Sequence, residues 1–189
     1  MKQKHKFIMG IAALILGLVF IMPIWSIDMD APQYPEGIGM KISIDKIEGK
    51  SKQDLQNING LNHYIGMKSI TPESIPELKI MPWIFGFLIL SGLAIAVWGN
   101  RTAVLIWIIL FVLLAIAGLV DFYLWGYDYG HDLDPNAAIK IPGMTYQPPL
   151  IGTKQLLNIK ATSLPGPGFY ISLLSMGLAS FVFWKSKES

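Results

Sequence analysis

The sequence predicts an all-α membrane protein, with four transmembrane helices and a small mixed cap that two outer loops form together. Three observations lead to this fold class. Of 189 residues, 52% are hydrophobic and only 15% are charged, a balance far from that of a soluble domain. Four apolar runs approach the roughly 20 residues that a helix needs to cross a bilayer. Tryptophans fall near the ends of these runs, as in the aromatic belts of membrane helices.

The four runs give the predicted spans and leave two long connecting loops. The spans cover residues 7–25, 81–98, 103–125 and 168–184, and the loops cover residues 26–80 and 126–167. The first run begins with basic residues, as a signal peptide does. It ends in PIWSIDMD, without a small-residue cleavage site. We therefore interpret it as an uncleaved membrane anchor.

Basic residues predict the orientation of the chain in the membrane. The short segments outside the spans carry Lys2, Lys4, Lys6, Arg101, Lys185 and Lys187. Positive charges in short loops remain in the cytoplasm. We therefore expect a multi-pass protein of the bacterial inner membrane, with both termini cytoplasmic and both long loops in the periplasm.

The two outer loops are expected to pack into one cap. In the first loop, MKISIDKIEG alternates apolar and polar residues and predicts one short strand. A helix is predicted from about residue 52 to residue 59, because Ser51 and Asp54 form a capping pattern and Gly60 is a plausible stop. In the second loop, LIGTKQLLNI predicts a short helix on the membrane surface.

Two of the three histidines and four of the nine methionines lie in the outer loops, and they suggest a metal site. His63 and Met67 are four residues apart, which places them on one face if both are helical. Thioether and imidazole ligands favour Cu(I), and a chain without cysteine has no thiolate to offer. The hypothesis is that His63, Met67, His131 and Met144 hold Cu(I), with Met40 as a spare ligand. The alternative is ordinary packing, because methionine commonly fills gaps in a core.

Other functional classes find less support in the residues. A net charge of +2 without a basic patch argues against nucleic acid as a partner. The sequence contains no nucleophile motif, phosphate loop or pair of carboxylates that would suggest an enzyme. Asp132, Asp134 and Asn136 alternate like the start of a calcium loop, but its glycine and closing glutamate are missing, so a turn is the better interpretation. Haem held by His63 and His131 is a further alternative.

A resemblance to a known group of proteins covers most of the chain. The stretches that carry it are DFYLWGYDYGHDLDPNAAIKIPGMTYQPPLIGTKQLLNI at residues 121–159, LNHYIGMK and IPELKIMPW. They resemble small four-span membrane proteins of Bacteroidota-like bacteria that accompany nitrous-oxide reductase and its copper-maturation genes. The resemblance implies an accessory role in assembling or supplying a periplasmic copper enzyme. It identifies no ligand.

These observations leave three functional hypotheses. The first is a non-enzymatic copper-handling protein, whose partner is a periplasmic copper protein or a copper-maturation complex. The second is a structural subunit that docks a periplasmic partner through aromatic residues of the cap. Its expected contact residues are Trp125, Tyr127, Tyr129 and Tyr146. The third is a redox subunit of a quinol or haem chain. Copper handling requires the histidine and methionine side chains to converge.

Overall fold

The computed structural model describes residues 1–188 and contains five α-helices and five β-strands. The helices are α1 Gln3–Ile15, α2 Asp54–Ile65, α3 Glu77–Trp98, α4 Arg101–His131 and α5 Pro167–Lys185. The strands are β1 Trp25–Ala31, β2 Tyr34–Ile42, β3 Ile47–Gly49, β4 Gly152–Leu156 and β5 Ile159–Pro165. We call α1, α3, α4 and α5 the bundle. We call the five strands, α2 and the last turns of α4 the cap.

Four segments of the bundle are long and apolar enough to cross a bilayer, by length and composition. They are residues 3–20, comprising α1 and the 3₁₀ stretch that follows it, together with α3, α4 and α5. Large side chains on their outer faces are exposed, among them Phe87, Leu90 and Leu113. Lipid is the environment that matches these apolar faces. The chain is therefore a multi-pass membrane protein in contact with lipid.

The ends of two spans differ from the sequence prediction. The first was expected to reach residue 25, but its helical part ends at Phe20 and Trp25 already belongs to β1. Pro23 explains the early end, because proline lacks the N–H that a continuing helix needs. The third was expected to end at residue 125, whereas α4 continues to His131. Its last turns leave the apolar run and enter the cap.

The cap is built on a five-stranded antiparallel sheet, in the order β3-β2-β1-β5-β4. The centre of the sheet joins the two outer loops, because β1 of the first pairs with β5 of the second, from Trp25 opposite Pro165 to Asp30 opposite Lys160. The alternation of side chains along each strand decides which face of the sheet is buried. Trp25 and Ile27 point inward from β1, and the intervening Ser26 and Asp28 are more exposed.

This sheet overturns the all-α fold class, and the protein is a mixed α/β membrane protein. The first loop contributes three strands where MKISIDKIEG predicted one. LIGTKQLLNI is not a surface helix, because residues 152–156 form β4 and Ile159 begins β5. Strands this short carry little local signal. They are stabilised by partners that lie far away in the chain.

The helix α2 begins near the predicted position but ends later. Gly60 does not stop it, and the helix continues to Ile65. It ends at Gly66, which has a φ of 81° and donates its backbone N–H to the His63 carbonyl at 3.3 Å. Glycine suits this left-handed position because it carries no side chain.

Two hydrophobic clusters form, one in the bundle and one in the cap. The bundle cluster includes Met9, Leu16, Leu88 and Trp107, which come from three helices and the adjoining 3₁₀ stretch. The cap cluster consists of apolar residues from the sheet, from α2 and the segment after it, from the first turn of α3, and from α4: Trp25, Ile27, Ile38, Met40, Ile42, Ile47, Ile58, Ile70, Ile75, Leu78 and Tyr129. The functional site lies within the cap cluster.

Candidate functional site

An apolar cavity of about 60 Å³ lies inside the cap. The inner face of the sheet forms one wall, with Ile27 and Ala161. The inner side of α2 forms another, with Ile58, and the end of α4 contributes Trp125 and Tyr129. A volume of this size can hold one or two waters, or a single ion with its ligands. The cavity therefore has room for only a small guest.

Three thioether side chains line this cavity, those of Met29, Met40 and Met67. Met29 and Met40 are diagonal neighbours on the inner face of the sheet, because Met40 is paired with Ile27, two residues before Met29. Such neighbours lie roughly 7–8 Å apart at the backbone, a distance that long side chains can bridge. The pairing of β1 with β2 thus brings two of the three methionines to the same cavity wall.

The third thioether reaches the cavity because the chain turns at the end of α2. After the left-handed Gly66, the backbone N–H of Met67 donates a hydrogen bond to the Asn62 carbonyl at 2.9 Å. This places Met67 beyond the helix, facing the sheet. His63 lies on α2 itself, and its side chain is exposed.

Two residues of the cavity wall carry buried polar groups that have no partners among the described residues. Tyr146 is only 2% exposed, and its hydroxyl has no hydrogen-bond partner among the described residues. The same holds within residues 1–188 for the indole N–H of Trp125. Both residues line the cavity. Since buried polar groups normally find partners, these two could donate hydrogen bonds to a guest or to a water beside it.

The structure separates the two predicted histidine ligands from this cavity. Neither His63 nor His131 lines it, and both side chains are exposed. The Nδ1 atom of His131 lies 2.9 Å from the Tyr127 carbonyl, and its ring stacks on the Tyr127 ring at 3.8 Å. Among residues 1–188, no three histidine, aspartate or glutamate side chains are grouped to hold a metal.

The remaining predicted residues are also divided between those that line the cavity or pack in the cap and those that lie outside it. Met144 is half-buried and does not line the cavity. Of the five predicted ligands, Met40 and Met67 line it. Of the aromatic residues predicted to contact a partner, Tyr127 is 47% exposed. Tyr129 and Tyr146 are buried, and Trp125 packs against the cap cluster. Three of the four therefore face the interior of the cap.

An ionic cluster ties the segment after α2 to the end of α4. The Lys68 ammonium group lies 2.9 Å from an Asp128 carboxylate oxygen and 2.7 Å from one of Asp132. Asp132 and Asp128 together raise the pKa of Lys68. Asp134 accepts a hydrogen bond from the backbone N–H of Asn136 at 2.8 Å, as expected for the predicted turn.

A buried carboxylate fixes α2 to the sheet. Asp54 is 7% exposed and accepts hydrogen bonds from the backbone N–H groups of Gly39 and Ser51, each at 3.1 Å, and from the Ser51 hydroxyl. The Ser51 hydroxyl, together with these N–H groups, lowers the pKa of Asp54 against the opposing effect of burial. The N-cap of α2 is Gln53, without a side-chain capping bond, so the predicted capping pair of Ser51 and Asp54 instead positions α2 against the sheet.

Sequence reasoning missed Met29, Trp125 and Tyr146 as residues of the site. For Met29 a signal was present, because the alternation in WSIDMDA puts Trp25, Ile27 and Met29 on one face of a strand. No comparable local pattern marks Tyr146. Its place depends on the hydrogen bond from its backbone N–H to the Gly130 carbonyl, at 2.9 Å.

Comparison with known proteins adds no family to this description. No protein-family model matches the chain, and no curated protein matches its sequence. The functional interpretation therefore depends on the chemistry of the cavity.

Proposed function

We propose that the protein is a membrane accessory protein that binds Cu(I) transiently in the cap cavity. The observation that carries the proposal is the presence of three thioethers, from Met29, Met40 and Met67, on the walls of one cavity. Thioethers are soft ligands, and soft ligands select Cu(I). This set replaces the predicted combination of His63, Met67, His131 and Met144.

The surroundings of the thioethers favour a monovalent ion over a divalent one. The cavity is apolar, and the cost of burying a charge in a medium of low dielectric rises steeply with that charge. Neutral thioethers leave the single positive charge of Cu(I) in place, and the aromatic side chains of Trp125 and Tyr129 form part of the apolar wall. Three neutral ligands bind less firmly than thiolates, which suits an ion that must be passed on.

The side of the membrane follows from charge. The basic termini and the connector between α3 and α4 lie together, since the Met1 amine donates to the Gly99 carbonyl at 3.2 Å and Lys6 Nζ donates to the Val97 carbonyl at 2.7 Å. With this end in the cytoplasm, the cap faces the periplasm of a bacterial inner membrane. The partner is then a periplasmic copper protein or its maturation complex. The resemblance carried by residues 121–159 points to nitrous-oxide reductase.

The test is a Cu(I) titration of the purified protein in micelles, under reducing conditions and against a chromogenic chelator. We expect one Cu(I) per chain. The double variant Met40→Leu/Met67→Leu keeps side-chain volume but removes two ligands. It should weaken binding by more than about 100-fold, since loss of an outer-shell partner alone costs roughly 10- to 100-fold.

Two matched variants make the result specific to the cavity. Met9→Leu/Met144→Leu removes one buried and one half-buried methionine outside the cavity, and His63→Ala/His131→Ala removes the exposed histidines. Both should bind Cu(I) as the wild type does. Loss of binding in the histidine variant alone would place the ion on the surface, and absence of binding in the wild type would end the copper proposal.

A further inference from the structure

The turn between β4 and β5 contains a leucine in a conformation that leucine rarely adopts. Leu156 pairs with Ile159, so Leu157 and Asn158 form a two-residue hairpin turn. Leu157 has a φ of 55°, and it is the one residue other than glycine with a positive φ among residues 1–188. Glycine and asparagine are the usual residues in this position. Leu157, which is less suited to a positive φ than Asn158, therefore occupies the strained position of the turn.

The side chain of Leu157 gives a reason for this choice. Leu156, Leu157 and Ile159 all line the cavity, and all three are half-buried, at the boundary between cavity and solvent. The Gln155 side-chain amide donates a hydrogen bond to the Leu157 carbonyl at 3.0 Å and braces the turn. Backbone strain of this kind persists where the surroundings impose it, and it is concentrated at ligand clamps and switch segments.

The hairpin is also the wall of the cavity that can move with the least disruption. β4 forms an edge of the sheet and pairs with β5 alone, whereas β1 and β2 have partners on both sides. β4 begins at Gly152, which has a φ of 101°, and a methyl group there would meet no described atom within 4 Å. An edge strand that begins at an uncrowded glycine can pivot there without breaking the central pairs of the sheet.

We propose that the tip of the β4–β5 hairpin is a lid over the cavity and that Leu157 is its plug. When the lid opens, Leu157 leaves the rim and the thioethers of Met40 and Met67 become accessible to a guest from outside the cap. Strain at Leu157 favours opening, because the turn can relax once the side chain has left the cavity. The inference shares its cavity with the proposed function, but it requires no metal.

The absence of cysteine from the chain allows a direct test. Met40 is 3% exposed, so Met40→Cys places a single thiol at a buried position of the cavity wall. Its labelling by a small methanethiosulfonate reagent is then timed with and without Leu157→Ala. We expect labelling about tenfold faster with Leu157→Ala, because alanine keeps the strained backbone position but loses an apolar contact, which shifts the local opening equilibrium. Leu157→Met keeps the plug and should leave the rate unchanged.

A second reporter separates lid opening from general loosening. Ile44→Cys places the thiol in the bundle cluster, where Ile44 is fully buried. Faster labelling at the Met40 reporter without a change at the Ile44 reporter supports the lid. Equal increases at both, or no increase at the Met40 reporter, overturn it. Should Met40→Cys fail to fold, Ile58→Cys, at a 1% exposed position of the cavity wall on α2, carries the same expectations. These rates need no copper, so they can contradict the lid while the Cu(I) titration succeeds, or the reverse.

Discussion

The bundle and the cap are held together by different interactions. In the bundle, each helix satisfies its own backbone, and the helices meet through small residues, as where Gly92 of α3 lies against Ala13 of α1. In the cap, the backbone is satisfied by distant segments, as where Trp25 pairs with Pro165. Side chains reinforce these pairs, and the Trp25 indole N–H donates to the Ser163 hydroxyl at 2.8 Å.

This difference explains why the bundle tolerates small structural changes and the cap does not. A membrane helix remains a helix when a neighbour shifts, because its hydrogen bonds are internal. A strand of the cap loses its partners when a connecting segment moves. The cavity depends on several such segments at once, since its walls come from the sheet, from α2 and from α4. Small changes should therefore cost more in the cap than in the bundle.

Gly130→Ala should produce the largest loss of stability. Gly130 lies near the end of α4, and a methyl group there would overlap the backbone of Gln147 and come within 2.7 Å of its Cβ atom. A backbone cannot rotate away as a side chain can. We expect the cap to lose about 3 kcal/mol, at the upper end of overpacking costs. Hydrogen exchange of the β1 and β5 amides in micelles measures this loss.

Gly126→Ala provides the matched control, one turn earlier on the same helix. A methyl group at Gly126 would meet no described atom within 4 Å. Alanine is the better helix former, so this variant should be unchanged or up to about 1 kcal/mol more stable. If the two variants behave alike, contact with the residue 147 backbone does not stabilise the cap, and the proposed difference between the regions is wrong.

The same difference sets how much of the fold could be predicted from sequence. Apolar length and tryptophan positions suffice for α3 and α5, which lie close to the predicted spans of residues 81–98 and 168–184. Apolar length and tryptophan positions do not predict the sheet, because β5 becomes a strand by pairing with β1, more than a hundred residues earlier. They also fail for the end of α4, whose last turns are stabilised by the cap cluster rather than by lipid.

The site shows the same limit at the level of single residues. The spacing of His63 and Met67 would place them on one face only if the helix continued through both. Gly66 ends it between them, so Met67 turns toward the cavity and His63 stays outside. Met40, predicted as a spare ligand, shares a cavity with Met67. Local spacing could not give that neighbour, because the two meet through the fold.

Asp54→Ala should have the second-largest effect, again in the cap. It removes the acceptor for two backbone N–H groups and the Ser51 hydroxyl, and it leaves the N–H of Gly39 buried without this partner. Leaving such a donor unsatisfied costs about 2 kcal/mol. Hydrogen exchange in α2 and β2 should report the loss. Glu36→Ala, at an exposed position of β2, should change exchange little.

The pH dependence follows from the lowered pKa of Asp54. A carboxylate with a lowered pKa stabilises the folded state fully above its ordinary value of 3.8, and this contribution is lost as the pH falls through the folded-state value. The wild-type cap should therefore weaken below about pH 4. The Asp54→Ala variant should show a flatter profile. An equally steep profile in the variant would assign the acid sensitivity to other carboxylates.

Gly92→Ala tests the bundle and should have the smallest effect of the three. A methyl group at Gly92 would lie 2.8 Å from the Ala13 Cβ atom and 3.4 Å from the Trp107 indole nitrogen. The helices can separate slightly to admit it, because no backbone hydrogen bond joins them. We expect a loss of about 1 kcal/mol in resistance to denaturing detergent, at the lower end of overpacking costs.

Gly86→Ala, also on α3, distinguishes this packing effect from a change in the helix itself. A methyl group at Gly86 would meet no described atom within 4 Å, so this variant should be at least as stable as the wild type. Hydrogen exchange in the cap should remain unchanged in both variants, because β1 and β5 do not depend on the α1–α3 contact for their pairing. Faster exchange of cap amides in Gly92→Ala would instead couple the two regions, and the cavity would then respond to helix packing within the membrane.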